Sequence, residues 1–139
     1  MIEQVFAEEK LLAIIVRSGY SKSGVNFFSP ANFSQQLAFI GHPAGRLIEP
    51  HIHNPVPREV LYTQEVLVIK KGSLRVDFYG YESTCLESKI LYPGDVILLA
   101  EGGHGFEVLE ELEMIEVKQG PYSGDNDKTR FRRSNTELG

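Results

Sequence analysis

The chain is poor in the features that mark several protein classes. It has one cysteine, Cys85, so no internal disulfide can form and no CxxC pair is present for a zinc knuckle. It has no basic excess: 14 basic against 19 acidic residues give a net charge of -5. Binding to duplex nucleic acid is therefore disfavoured, since that needs surplus positive charge. The one basic cluster, Lys128, Arg130, Arg132 and Arg133, reads as part of a solvated tail. Long apolar runs are also missing. "LLAIIV" (11–16) has six apolar residues, far below the roughly 20 needed to cross a bilayer. The opening "MIEQVFAEEK" is acidic where a secretory signal would be basic. These absences lead to the expectation of a cytoplasmic protein without membrane or nucleic-acid partners.

Helical periodicity is also scarce, while 13 glycines and seven prolines punctuate short β-rich runs. "FAEEKLLAIIVR" reads as a short helix or a strand, and "AIIV" tips it towards strand. Further strands are expected at "SQQLAFIG" (34–41), "GRLIEPHIH" (45–53), "EVLVIK" (65–70), "SLRVDFYG" (73–80), "STCLESKIL" (83–91) and "VILLA" (96–100). "KKGS" reads as a tight hairpin turn with Gly72 at positive φ, and "YPGD" as a Pro-Gly turn. "GFEVLE" and "LEMIEVKQG" read as a final hairpin. "HNPVPRE" (53–59) is a loop because of its prolines. Val66 and Val68 face one way and Leu67 and Ile69 the other, so that strand is expected to be covered on both sides. In the next run Leu74, Val76 and Phe78 share one face, and Arg75, Asp77 and Tyr79 the other. So many short strands, with turns every eight to twelve residues, predict an all-β sandwich or barrel. Residues from about 121 onwards are polar enough to lie loose or to pack on a partner subunit.

His51 and His53 stand at i and i+2. On a strand this places their side chains on one face, roughly 6.5–7 Å apart at Cα, close enough to converge on one ion. Alone the pair also fits two polar residues at a bend. His104 sits in the glycine-rich "AEGGHGFEV", and Glu65 opens an apolar strand where a carboxylate needs a partner. Arg46, Arg58, Tyr62 and Arg75 are candidates for a substrate pocket, with structural ion pairs as the alternative for the arginines. His42 reads as a surface turn residue, and Cys85 as a small core residue. Tyr79, Tyr81 and Tyr92 read as strand or turn packing.

In these residues the chain resembles the cupin superfamily. Gly45, five residues, His51, Ile52 and His53 match the opening of its first motif, G(X)5HXH(X)3-4E(X)6G. Glu65, six residues and Gly72 match its close. Gly94, five residues, Ala100, Glu101, Gly102 and then His104 are similar to its second motif, G(X)5PXG(X)2H(X)3N. Eleven residues separate His53 from Glu65 where the family has three or four, which makes Glu59 a rival; Gln64 would face the other way. Ala100 replaces the motif proline, the run before His104 is one residue short, and Val108 takes the place of the final asparagine. The resemblance implies a double-stranded β-helix, or jelly-roll barrel: a single cupin domain over 1–139. Its core would span about 35–119, with N-terminal strands or a short helix at 1–34 and a polar tail at 121–139. It also implies one divalent transition metal ion (Fe, Mn, Ni, Co or Zn) on His51, His53, Glu65 and His104, a small-molecule substrate and a homodimer. Three functions stay open: a metal-dependent oxygenase, isomerase or lyase; a metal-independent sugar isomerase or epimerase; and a non-catalytic binding module.

Overall fold

The computed structural model describes residues 1–132; Arg133 and the rest of the tail lie outside the described residues. The described residues form eight strands: β1 (Ile2–Ala7), β2 (Lys10–Val16), β3 (Gly24–Phe27), β4 (Ala38–Gly41), β5 (Glu65–Tyr79), β6 (Cys85–Leu91), β7 (Val96–Leu99) and β8 (Gly103–Lys118). A single turn of 3₁₀ helix follows at Gly124–Asp127. No helix among the described residues is long and apolar enough to cross a membrane. Six strands form one antiparallel sheet in the order β1-β2-β7-β5-β6, with β8 also paired to β5. β3 and β4 form a separate two-stranded ribbon.

The first expected element is a hairpin. Glu8 and Glu9 turn it with φ of 49° and 71°. Two-residue hairpins favour this left-handed geometry, but Asn-Gly rather than Glu-Glu is the pair that signals it. β2 then enters the middle of the sheet between β1 and β7, so "AIIV" is a strand and is buried. Ala13, Ile14, Ile15, Ile97 and Leu98 have no exposed surface. Each large aliphatic side chain so buried stabilises the fold by about 1.5–3 kcal/mol.

β5 and β8 correct two expectations. The hairpins expected at 70–73 and near Glu111 do not form. Each pair of short strands is one long strand, and β5 and β8 pair antiparallel from Glu65↔Lys118 to Tyr79↔Gly103. The register slips between Ile69 and Leu74, where Gly72 holds φ 82°. A bulge and a hairpin turn both require a left-handed glycine, so the sequence signal is shared. At this bulge the ribbon bends and the sheet changes partners. β7 pairs with Glu65–Val68, and β6 with Leu74–Tyr79. The expected "YPGD" turn, closed by Asp95 N–H donating to Tyr92 O at 3.0 Å, carries the chain from β6 to β7. Leu67, Ile69, Leu74, Val76 and Phe78 line the inside of the curl with Ala13, Ile15, Leu91, Ile97 and Leu99.

The result is a strongly curled sheet, half of a barrel. Among the described residues the facing sheet of a complete jelly roll is not formed, and the strand expected at 45–53 is absent: residues 42–64 run without any strand. Pro43, Pro50, Pro55 and Pro57 lie in this stretch, and each lacks the N–H that a ladder needs. Val66 and Val68 are only half-buried, so the outward face of β5 is less covered than its apolar pattern implies.

Charged groups tie the sheet edge to the turn. Arg17 donates to both carboxylate oxygens of Glu3, at 2.7 and 3.1 Å, and to Asp95 at 2.9 Å. Asp95 is buried, and also accepts from the backbone N–H groups of Ser18 and Tyr92 at 2.8 Å. Arg17 holds the Glu3 carboxyl down at about 2 against the opposing effect of burial, with help from Lys89.

Two outcomes are expected. A Cβ on Gly72 would stand 2.0 Å from the Glu111 carbonyl oxygen, in a conformation that L side chains rarely adopt. Gly72→Ala should destabilise the protein by about 2–4 kcal/mol in urea unfolding; a midpoint equal to the parent's would contradict the bulge. Because the folded pKa of Glu3 is depressed, its contribution is present above about 4.5 and lost as the pH falls towards 2. Glu3→Gln should therefore show a smaller loss of stability than the parent between pH 5 and 2, and parallel curves would show that the Arg17 pair contributes nothing.

Candidate functional site

The bend at Gly72 decides which distant residues meet. A straight strand from Glu65 to Tyr79 would span roughly 45 Å. Folded at the bulge, the ribbon brings its two ends together. Glu65 lies at one end of the β5–β8 ladder and His104, paired with Phe78, at the other. Both lie on the inward face, since Glu65 alternates in step with Leu67 and Ile69, and His104 is opposite Phe78. His104 Nε2 comes within 3.4 Å of Glu65 Oε1.

The glycines before His104 set its approach. Gly102 has φ 79°, and a Cβ there would stand 2.7 Å from Tyr79 O and 2.9 Å from Leu12 Cδ2. The N–H of Gly103 donates to Gly80 O at 3.0 Å, closing the turn into β8. The His104 ring also lies 5.4 Å from that of Phe106.

The electrostatics of the pair follow from its neighbours. His104 beside Glu65 holds its carboxyl down at about 2, although burial opposes this. Glu116, one diagonal step along β8, hydrogen-bonds Glu65, and this bond pushes its own carboxyl up. One carboxylate thus faces the histidine while the other retains its proton more readily.

The pair opens into a cleft of about 640 Å³ whose walls include Tyr62, Tyr79, Tyr81, Phe106 and Phe131. Tyr81 donates its hydroxyl to Glu101, which pushes its ionisation up to about 12. The C-terminal segment, expected to be loose or on a partner, folds back over this cleft. Thr63 Oγ1 donates to Asp127 Oδ2 at 2.9 Å, and the Phe131 ring packs edge-on to Tyr79 at 4.9 Å. Sequence periodicity carries no signal for this contact, because one aromatic in a charged tail has no pattern. A second cleft, of about 900 Å³, adjoins the first and is lined in part by Arg58, Glu59, Tyr62 and Tyr122.

The other sequence candidates are placed differently. His51 and His53 are exposed, on the strandless stretch 42–64, with rings 5.1 Å apart. His51 Nδ1 is 2.9 Å from Glu49 O, so that nitrogen is the donor and Nε2 is left open. They are not on a strand. Among the described residues no group of three His, Cys, Asp or Glu side chains is placed to hold an ion. The donor types suit a borderline divalent cation, but of the four candidate ligands only Glu65 and His104 stand side by side. Glu59 lines the larger cleft and does not pair with His104. Gln64 is buried on the opposite side from Glu65, accepting from Gln35 N–H at 3.0 Å and Ser34 Oγ at 3.3 Å. Arg58 and Tyr62 do line clefts. Arg46 is exposed on the 42–64 stretch, and His42 is half-buried at its start. Arg75 lines neither cleft: it lies on the outward face, bonded to Asp77 at 3.0 Å and Glu107 at 3.4 Å. Cys85 is a free thiol, half-buried at the start of β6.

Against known proteins, the chain is 40% identical over 82 residues to germin-like protein subfamily 1 member 3 of Arabidopsis thaliana. The match covers 52% of this chain and 33% of the relative, so the chain spans about a third of the length of that protein. No family model matches the chain, and no solved structure matches it.

Proposed function

We propose that the chain is a metal-binding cupin, akin to the germins, that acts on a small oxygen-rich metabolite at the Glu65–His104 cleft. The observation that carries this reading is the meeting of Glu65 and His104 at 3.4 Å, from opposite ends of a folded ribbon, inside a cleft of small-molecule size. These two residues, with His51 and His53, would hold one divalent ion of the Fe, Mn, Ni, Co or Zn class. A bound ion would act as a Lewis acid on a carbonyl or enolate oxygen. Apolar surface supports the inclusion of the two outlying histidines. Leu47 and Ile52, beside them, are 87% and 89% exposed, and Phe106 and Val108 on the inward face of β8 are 41% and 55% exposed. Covering one with the other would remove both from water. A homodimer through the edge strands β1 or β6 belongs to the same reading, because an open sheet edge is a pairing template. So does a cytoplasmic setting, supported by the single free cysteine.

One observation favours a second reading. A metal-independent isomerase needs a histidine base held by a carboxylate and a tyrosine acid across the pocket. Glu65 supplies that carboxylate for His104, and Tyr62, Tyr79 and Tyr81 line the same cleft.

Metal content by mass spectrometry separates the two. Untagged protein grown with the five metals should carry about one equivalent, and a His51→Ala/His53→Ala variant should lose it. Protein that carries none, and takes up none when each metal is supplied, removes the first reading and leaves the second.

A further inference from the structure

The two clefts adjoin. They share Tyr62, Thr63, Lys118 and Asp127, so the Thr63–Asp127 hydrogen bond belongs to a wall common to both. Each volume, about 900 and 640 Å³, already matches a small-molecule site. Together they exceed what one small metabolite fills, so the shape suits an elongated ligand.

The charges of this combined groove cancel. Its cations are Arg58, Lys118, Lys128 and Arg130. Its carboxylates are Glu59, Glu65, Glu101 and Asp127. Steering a charged polymer requires an excess of one sign along the track, which a four-to-four balance does not supply. Such a balanced groove suits an uncharged ligand.

Its other walls suit a polyhydroxylated chain. Tyr62 and Tyr122 are 61% and 89% exposed, with Tyr62 at the junction and Tyr122 in the larger cleft. An exposed tyrosine offers an apolar ring face and a polar tip. That combination matches a pyranose, which has a C–H face and a rim of hydroxyls. Lys10 already stands 4.9 Å above the Tyr81 ring, so Tyr62 and Tyr122 are the open platforms. Asn32 supplies an amide along the same walls, and the hydroxyls of Ser34 and Thr63, which donate to Gln64 and Asp127, keep lone pairs that can accept.

We propose that the groove binds an uncharged oligosaccharide, stacked on Tyr62 and Tyr122, with one end reaching the Glu65–His104 cleft. This rests on the placement of the reactive centre proposed above and adds to it a run of binding subsites that needs no metal.

The test is an NMR titration of the isotope-labelled full chain, before and after chelation. The probes are the β-1,4-linked hexaoses of glucose, xylose, mannose and N-acetylglucosamine, with their monosaccharides and oligogalacturonate as controls. At least one hexaose should bind about tenfold or more tightly than its monosaccharide, with or without chelator. Tyr62→Ala and Tyr122→Ala should each weaken it several-fold, while Tyr92→Ala, exposed but outside the groove, should not. Failure of all four hexaoses, indifference to both groove variants, or tighter binding of oligogalacturonate than of any neutral chain would overturn the inference. Oligosaccharide binding by protein that takes up no metal rejects the metalloenzyme reading alone; a metal-loaded protein that ignores every hexaose rejects this one alone.

Discussion

The fold turns on the bulge at Gly72. It lets one antiparallel ribbon, β5 with β8, run unbroken while changing direction. A rigid sheet would leave Glu65 and His104 tens of ångströms apart; the bend puts them in contact. The same bend lets β7 and β6 add to successive halves of β5, and so curls the sheet around one apolar interior. Replacing the glycine means both a disfavoured backbone and a collision with the Glu111 carbonyl, so the position has little freedom.

The site inherits its character from that interior. A carboxylate at the mouth of an apolar curl must find a partner, and Glu65 finds two, His104 and Glu116. The hydrogen bonds outweigh the cost of burial and keep Glu65 ionised. The outward face handles the same problem separately, with Asp77 fully buried and bonded to Ser88 at 2.6 Å and Arg75 at 3.0 Å. The two faces of β5 thus carry different duties: the inward one opens to a ligand-sized cleft, and at Arg75 and Asp77 the outward one closes on its own charged pairs.

Much of this is legible in the sequence. Alternation in "SLRVDFYG" assigns Leu74, Val76 and Phe78 to the core, where they lie. The spacing from Glu65 to Gly72 keeps Glu65 inward, and it is Glu65 that meets His104. What sequence reasoning misses has local causes. Gly72 signals a turn because a bulge asks for the same left-handed backbone, so two long strands read as two hairpins. Period-2 spacing suggests a strand for His51 and His53, but the surrounding prolines remove the donors a strand needs. The return of Phe131 onto Tyr79 is a tertiary contact with no sequence period behind it.

The most direct measurement is whether the two ends of the ribbon touch in solution. Nuclear Overhauser contacts between the His104 ring protons and the Glu65 side chain should be present in the parent protein and lost in Gly72→Ala under conditions where that variant stays folded. A well-folded parent without those contacts would contradict the bend, and with it the site built on the bend.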